Sequence, residues 1–166
     1  MFDILPKSAV PEPAPLSQEL KDAKDKSRST FLALPRSYER DSFLNALGRI
    51  GETRLKQKIR HRIGTIVAAT GDGQFPELAV VTDAAVVCRN HYVHGSDAQF
   101  DYNRNFNTVT FFTDTLEFVF AVSDLADAGW DLKTWSSAPT GMSHPFAAFR
   151  INYTLRLAEL KALLGA

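Results

Sequence analysis

Apolar side chains recur at three- and four-residue intervals through most of the chain after Pro35, which is the spacing of one face of an α-helix. The stretch from Leu78 to Cys88 is apolar over a wide arc, as expected for the central helix of a bundle. The stripes consist of Phe43, Leu44, Leu47, Ile50, Leu55, Ile59, Ile63 and Ile66; Leu78, Val81, Ala85 and Cys88; Val109, Phe112, Leu116, Val119 and Phe120; and Phe146, Phe149, Tyr153, Leu157, Leu160 and Leu164. These patterns predict an all-α fold, a bundle of four to five helices joined by short loops.

Glycine and proline mark the expected helix ends. Pro76 suits the first turn of the central helix, and Gly95 suits the residue after its last turn. The following helix is expected to stop at Gly129. Residues 96–105 are polar and predict a loop, and we expect a second loop over residues 131–143.

The N-terminal part of the chain differs from the rest in its proline content. The first 15 residues contain four prolines, Pro6, Pro11, Pro13 and Pro15. Proline fixes φ and has no backbone N–H to donate a hydrogen bond. These prolines predict an extended linker or tail over residues 1–16, in front of a helical domain over residues 17–166. Ser17 suits the N-cap of a short charged helix that begins at Gln18.

Composition and charge narrow the class of protein. The 166 residues are 45% hydrophobic and 23% charged, which excludes a mainly disordered chain. The 19 basic and 19 acidic residues cancel, which disfavours a strongly basic nucleic-acid clamp but permits a local basic face. There is no membrane-length apolar run or signal-peptide pattern, and Cys88 is the single cysteine, so no internal disulfide can form. We expect a cytoplasmic protein without a membrane partner.

The candidate chemistry lies at the end of the predicted central helix, in the string Arg89-Asn90-x-x-x-His94. Arginine presents a planar, permanently charged fork that suits a phosphate, and histidine takes or gives a proton near neutral pH. Together they suit attack of an RNA 2′-hydroxyl on the neighbouring phosphate, with His94 as the base and Arg89 holding the charge on the phosphoryl oxygens. That step requires no metal ion and no cofactor.

Helix geometry alone does not decide whether the side chains of Arg89 and His94 reach each other. Asn90 and His94 share a helix face, so Asn90 is expected to orient the imidazole. Arg89 lies about 140° around the axis from His94, and a straight helix would splay the two. Helix distortion, or a two-fold dimer that brings two helix ends to one groove, would bring them together.

The string at the end of a central helix in a small all-α bundle resembles the HEPN superfamily of ribonucleases. Within it, the apolar helix before the string and the aromatic helix after it are most similar to the C-terminal HEPN domains of ApeA-type phage-defence proteins, over roughly residues 37–164. The resemblance implies a metal-independent endoribonuclease that acts on RNA as a homodimer, often as a toxin or abortive-infection effector. It assigns catalytic roles to Arg89 and His94, with Asn90 as the polar residue after the arginine.

Several residues admit a second interpretation. Arg89 and His94 could instead be cations that the negative end of the helix dipole stabilises, with no catalytic role. The group His91, His94 and Asp97 could suggest a metal site. Further candidates for RNA contact are Arg54, Lys58, Arg62, His91 and Tyr92. A solvated charged face and ordinary packing explain those residues equally well.

The alternative to an enzyme is a non-catalytic helical module for dimerisation or protein binding, such as the partner of a toxin or sensor. Zero net charge and the proline-rich segment favour that alternative. A third hypothesis is a HEPN domain that stays silent until an upstream sensor domain is triggered, or that is held by an antitoxin.

Overall fold

The computed structural model describes residues 10–71, 73–139, 141 and 144–165. Within these residues the chain forms seven α-helices and no strand, which confirms the all-α prediction. The helices are α1 (Gln18–Leu32), α2 (Tyr38–Gly48), α3 (Leu55–Thr70), α4 (Leu78–His94), α5 (Phe106–Asp127), α6 (Leu132–Ser137) and α7 (Pro145–Leu164). No helix in this part of the chain has the length and apolar character needed to cross a membrane.

The contacts divide the chain into two compact units, and the smaller one is Pro11–Arg54. It places residues 11–16 together with α1 and α2, so it does not coincide with the boundary at residue 16 that the prolines predict. Residues 1–9, including Pro6, lie outside the described residues. The domain boundaries therefore stay a prediction.

Local capping defines the two helices of the smaller unit. The Ser17 hydroxyl accepts a hydrogen bond from the Leu20 amide (3.3 Å) at the start of α1, as expected, and Ser37 caps α2 in the same way. Phe31 and Phe43 stack with ring centroids 4.9 Å apart. Neither helix contains a buried residue, so this unit holds little core of its own.

The larger unit contains the described residues from Leu55 onward and holds the hydrophobic core. Its helices are α3, α4, α5, α6 and α7. The sequence predicts four to five helices over residues 17–166, which is fewer than the seven that the described residues form, and α6 is not among those predicted. The buried positions follow the predicted stripes and include Ile59, Ile63, Ile66, Leu78, Val81, Ala85, Cys88, Phe112, Val119, Phe149, Tyr153, Leu157 and Leu160. Long helices that each bury one face against the others are the arrangement that this pattern favours.

An aromatic cluster joins the later helices of the larger unit. The rings of Phe118 and Phe149 stack at 4.4 Å, and Phe75 lies 4.8 Å from Phe118. The Tyr153 hydroxyl donates a hydrogen bond to the Pro76 carbonyl (2.8 Å), and burial raises the pKa of this tyrosine. This contact ties α7 to the turn in front of α4.

Three helix boundaries differ from the prediction. Pro76 lies outside α4, which begins at Leu78 after Glu77, a residue with a φ of 55°. The stripe expected to continue past Ile50 is interrupted, because α2 ends at Gly48 and α3 begins at Leu55. The predicted loop 131–143 contains α6, where the Asp131 carboxylate accepts a hydrogen bond from the Thr134 amide (2.9 Å); residues 140, 142 and 143 of that loop lie outside the described residues.

The glycine-marked ends agree with the structure. Gly95 follows the last residue of α4 with a φ of 69°, and its amide donates to the His91 carbonyl (3.0 Å). The next helix, α5, ends at Asp127, two residues before Gly129, which has a φ of 94°. A positive φ costs glycine little, and this is why it ends helices in a left-handed turn.

Candidate active site

The last turn of α4 carries the candidate residues from the core to the surface. Cys88 is buried, Arg89 and Asn90 are half-buried, and His94 is exposed. The backbone turns away at Gly95 immediately afterwards. The apolar first part of α4 therefore anchors a polar final turn that solvent and ligands can reach.

The side chains of Arg89 and His94 converge within a single chain. Nη1 of Arg89 lies 3.5 Å from Nε2 of His94, and the same Nη1 donates a hydrogen bond to Oδ1 of Asn90 (3.2 Å). The long arginine side chain spans the angle around the helix that would otherwise separate the two groups. Asn90, which the sequence predicts to orient the imidazole, instead holds the guanidinium.

The direction of this contact bears on what the imidazole can do. A guanidinium N–H can only donate, so Nε2 meets it with its lone pair. An imidazole with that lone pair can accept a proton from a substrate hydroxyl. At 3.5 Å the contact is long for a hydrogen bond, so a ligand oxygen can take the place of either partner. A cation and a potential base thus lie side by side at the accessible end of α4.

His91 supports the backbone next to this spot. Its Nδ1 lies 2.6 Å from the Ser96 carbonyl oxygen, which can only accept, so Nδ1 carries a proton. Its ring also contacts Tyr102, with centroids 5.3 Å apart. Tyr102 is buried, and that burial raises the pKa of its hydroxyl. These contacts give His91 a role in holding the loop after α4, whereas Tyr92 is 57% exposed beside it.

Arg62 corrects one of the RNA-contact predictions. Its side chain is 1% exposed and donates to Ser123 Oγ (2.8 Å) and to the carboxylates of Asp124 (3.3 Å) and Asp127. It is enclosed against α5 and cannot reach RNA phosphates. A buried guanidinium requires such partners, because an unpaired charge in the interior is costly.

The other predicted basic candidates differ from Arg62 in exposure. Lys58 is half-buried on α3, and Arg54 is exposed in the smaller unit. Their neighbour Arg60 pairs with Asp83 on α4 (2.7 Å). The row of basic residues therefore contains a buried ion-pair network at Arg62, surface pairs of Lys56 and Arg60 with Asp83, and the exposed Arg54.

The metal alternative has no support in the arrangement of side chains. No three His, Cys, Asp or Glu residues lie close enough together to hold a metal ion within the part of the chain that the structure describes. In the predicted group of His91, His94 and Asp97, Nδ1 of His91 is hydrogen-bonded to the Ser96 carbonyl oxygen.

A groove beside Arg89 was not predicted from the sequence. It has a volume of about 310 Å³ and lies between α3, α4 and α5. Its lining consists of Leu55, Ile59, Ala85, Val86, Cys88, Arg89, Tyr92, Val109, Phe112, Thr113, Leu116 and Glu117. Thr113 and Glu117 occupy exposed positions on α5, where polar residues are ordinary, so the sequence carries no signal for them.

Comparison with known proteins supports the resemblance. No protein of curated function and no solved structure is significantly similar to the chain. The family described as Apea-like HEPN matches residues 2–134, a range that begins earlier than the resemblance predicted and ends before α7. This range includes α1 to α5 and the whole Arg89–His94 string. Since the match covers most of the 166 residues, the chain belongs to the Apea-like HEPN family.

Proposed function

We propose that this protein is a metal-independent endoribonuclease that cleaves RNA by attack of a 2′-hydroxyl on the adjacent phosphate. The observation that carries the proposal is the 3.5 Å approach of Arg89 Nη1 to His94 Nε2 at the accessible end of α4. Family membership supports a function of the nuclease or defence type. The activity would make the protein a toxin or phage-defence effector in the cytoplasm.

The proposed chemistry uses the two side chains in different ways. Nε2 of His94 takes the proton of the 2′-hydroxyl while that oxygen forms a bond to phosphorus, and the bond from phosphorus to the 5′-oxygen breaks. Arg89 donates N–H groups to the phosphoryl oxygens, where negative charge increases in the transition state. The products are a 2′,3′-cyclic phosphate and a free 5′-hydroxyl.

Asn90 acts as a positioning residue in this scheme. Its Oδ1 accepts from the same Nη1 that faces His94, so it limits the rotation of the guanidinium. A preorganised donor stabilises developing charge better than a mobile one, because no reorganisation is needed during the reaction. Loss of the amide would loosen the guanidinium without removing its charge.

The leaving 5′-oxygen also needs a proton, and the proposal assigns it to a second copy of the chain. A two-fold dimer can bring two α4 ends to one groove, so that one His94 acts as base and the other as acid. Light scattering of the pure protein should then give twice the chain mass of 18.4 kDa. A monomer that cleaves at full rate would exclude this part of the proposal.

Matched histidine and arginine variants test the function. His94→Ala should abolish cleavage, whereas His61→Ala, which removes another exposed helical histidine, should cleave like the wild type. Arg89→Ala should lose activity, and Arg104→Ala provides the control because Arg104 is exposed and pairs with its near neighbour Asp101 (3.3 Å). Circular dichroism checks that each variant remains folded. Equal cleavage by His94→Ala and His61→Ala would refute the proposal.

Exposed apolar residues in the smaller unit favour a second candidate function, a non-catalytic module that binds a partner protein. Tyr38 is 86% exposed, Phe43 is 55% exposed, and Leu20 is about half exposed. Such side chains are common at protein interfaces. A partner on this unit is also compatible with an antitoxin or an upstream sensor that controls the nuclease. Absence of any RNA cleavage by the pure chain would favour this second function.

A further inference from the structure

The groove between α3, α4 and α5 combines an apolar interior with a polar mouth. Most of its lining is aliphatic or aromatic, including Val86 on α4 and Phe112 and Leu116 on α5. At about 310 Å³ it is near the lower end of the about 300–1,000 Å³ that small-ligand sites occupy. A single flat heterocycle is the size of ligand that suits it.

Two side chains at this groove have the chemistry of a nucleotide site. Arg89, which faces His94, contributes to the lining whereas His94 and Asn90 do not, so the groove borders the candidate site through the arginine. Tyr92 lines the groove with a ring that is 57% exposed. Single-stranded RNA is recognised largely by bases that stack on such rings and hydrogen bond through their edges.

Glu117 places a carboxylate in the lining of the groove. It is exposed, lines the same groove, and forms no ion pair or hydrogen bond with any residue that the structure describes. A carboxylate can accept two parallel hydrogen bonds. Guanine offers two adjacent donors on one edge, N1–H and the 2-amino group, whereas adenine presents an acceptor at N1.

We propose that this groove binds a guanine base of the RNA adjacent to the cleaved phosphate, with Glu117 accepting from N1–H and the 2-amino group and Tyr92 stacking on the ring. This inference rests on the proposed nuclease function and deepens it, because it makes Glu117 a specificity-determining residue. A base bound in the groove would bring its RNA backbone towards Arg89, which lines the groove.

The test uses short single-stranded RNAs that differ at one position. Each RNA contains one guanosine, inosine or adenosine next to the bond that is cleaved. Inosine differs from guanosine only in lacking the 2-amino group. Cleavage is measured with the wild type, and binding is measured by fluorescence anisotropy with a 2′-deoxy substitution at the attacking position, which prevents cleavage. We expect guanosine to exceed adenosine at least tenfold in both assays, with inosine between them.

A matched pair of variants separates the groove from its surroundings. Glu117→Gln should reduce the preference for guanosine to a few-fold or less, because the amide accepts only one of the two hydrogen bonds. Asp114→Asn serves as the control, since Asp114 shares with Glu117 the cleft between α5 and α7 but does not line this groove. The control should keep the wild-type preference.

The outcomes distinguish this inference from the nuclease proposal. Equal cleavage and equal binding of all three RNAs would overturn the guanine site while leaving the nuclease intact. Guanosine-selective binding without cleavage would support the site and overturn the nuclease. A dimer that dissociates when Thr113 in the groove is changed by Thr113→Arg, without any base preference, would assign the groove to a second copy and overturn the inference.

Discussion

The guanidinium of Arg89 and the imidazole of His94 meet at the end of α4, with Nη1 and Nε2 3.5 Å apart, although their positions on the helix point in different directions. The contact depends on the length of the arginine and on the exposed last turn that ends at Gly95. It gives one chain both a proton acceptor and a fixed cation.

Arg89→Lys should lose most of the cleavage activity although the charge is kept. A lysine ammonium lacks the planar fork that can hold two phosphoryl oxygens and Asn90 at once. We expect kcat/KM to fall by about 100-fold, the typical effect of losing one preorganised donor. Arg104→Lys is the control, because Arg104 is 87% exposed. Near-wild-type kcat/KM for Arg89→Lys would contradict the assigned role.

Arg62→Met should destabilise the fold rather than the chemistry. The substitution removes the partner of Ser123, Asp124 and Asp127. Removing one member of a buried pair costs about 3–5 kcal/mol, and we expect about 2 kcal/mol because both carboxylates are about half exposed to solvent. Urea unfolding provides the measurement. Arg60→Met, at a surface pair with Asp83, should cost less than about 1 kcal/mol. Similar losses for both variants would argue against the buried network.

Two glycine substitutions should change stability in opposite directions. Gly95→Ala places a side chain at a φ of 69°, which should cost about 1 kcal/mol although the new carbon has open space beyond the adjoining backbone. Gly64→Ala lies within α3 in open space and should stabilise by about 0.5–1 kcal/mol. Thermal unfolding of both variants checks the sign. Stabilisation by Gly95→Ala would show that α4 does not end in this left-handed turn.

Cys88 should resist thiol reagents in the folded protein. Its side chain is 4% exposed, and burial raises the pKa of the thiol, so the reactive thiolate is scarcer at pH 8 than for an ordinary cysteine. We expect a disulfide reagent to modify Cys88 slowly in the folded protein and rapidly in denaturing urea. In the folded protein, the modification rate should rise at a higher pH than it does for an ordinary cysteine. Rapid modification of the native chain at pH 8 would mean that the groove beside Cys88 opens in solution.

The fold was largely predictable because its determinants are local in the sequence. The stripe from Phe146 to Leu164 and the end of α4 at Gly95 each depend on a few neighbouring residues. Helix α6 was missed because six residues provide too few turns for a periodic pattern. Short helices of this kind are recognised by their caps, here Asp131.

The candidate site was predictable in its residues but not in its geometry. The Arg89–His94 string is visible in the sequence, whereas its convergence depends on side-chain conformation. Arg62 was misassigned because the carboxylates that bury it lie about 60 residues further along the chain, on a different helix. The groove that includes Glu117 could not be predicted for the same reason, since residues of three separate helices line it.

The most direct test of the nuclease is the chemistry of the RNA ends that the pure protein produces in excess EDTA. A single-stranded RNA is incubated with the wild type and with His94→Ala, and the fragments are analysed by mass spectrometry. Cleavage through the Arg89–His94 site should give 2′,3′-cyclic phosphate and 5′-hydroxyl ends with the wild type and intact RNA with the variant. Fragments with 5′-phosphate ends, or equal fragmentation by His94→Ala, would contradict the account.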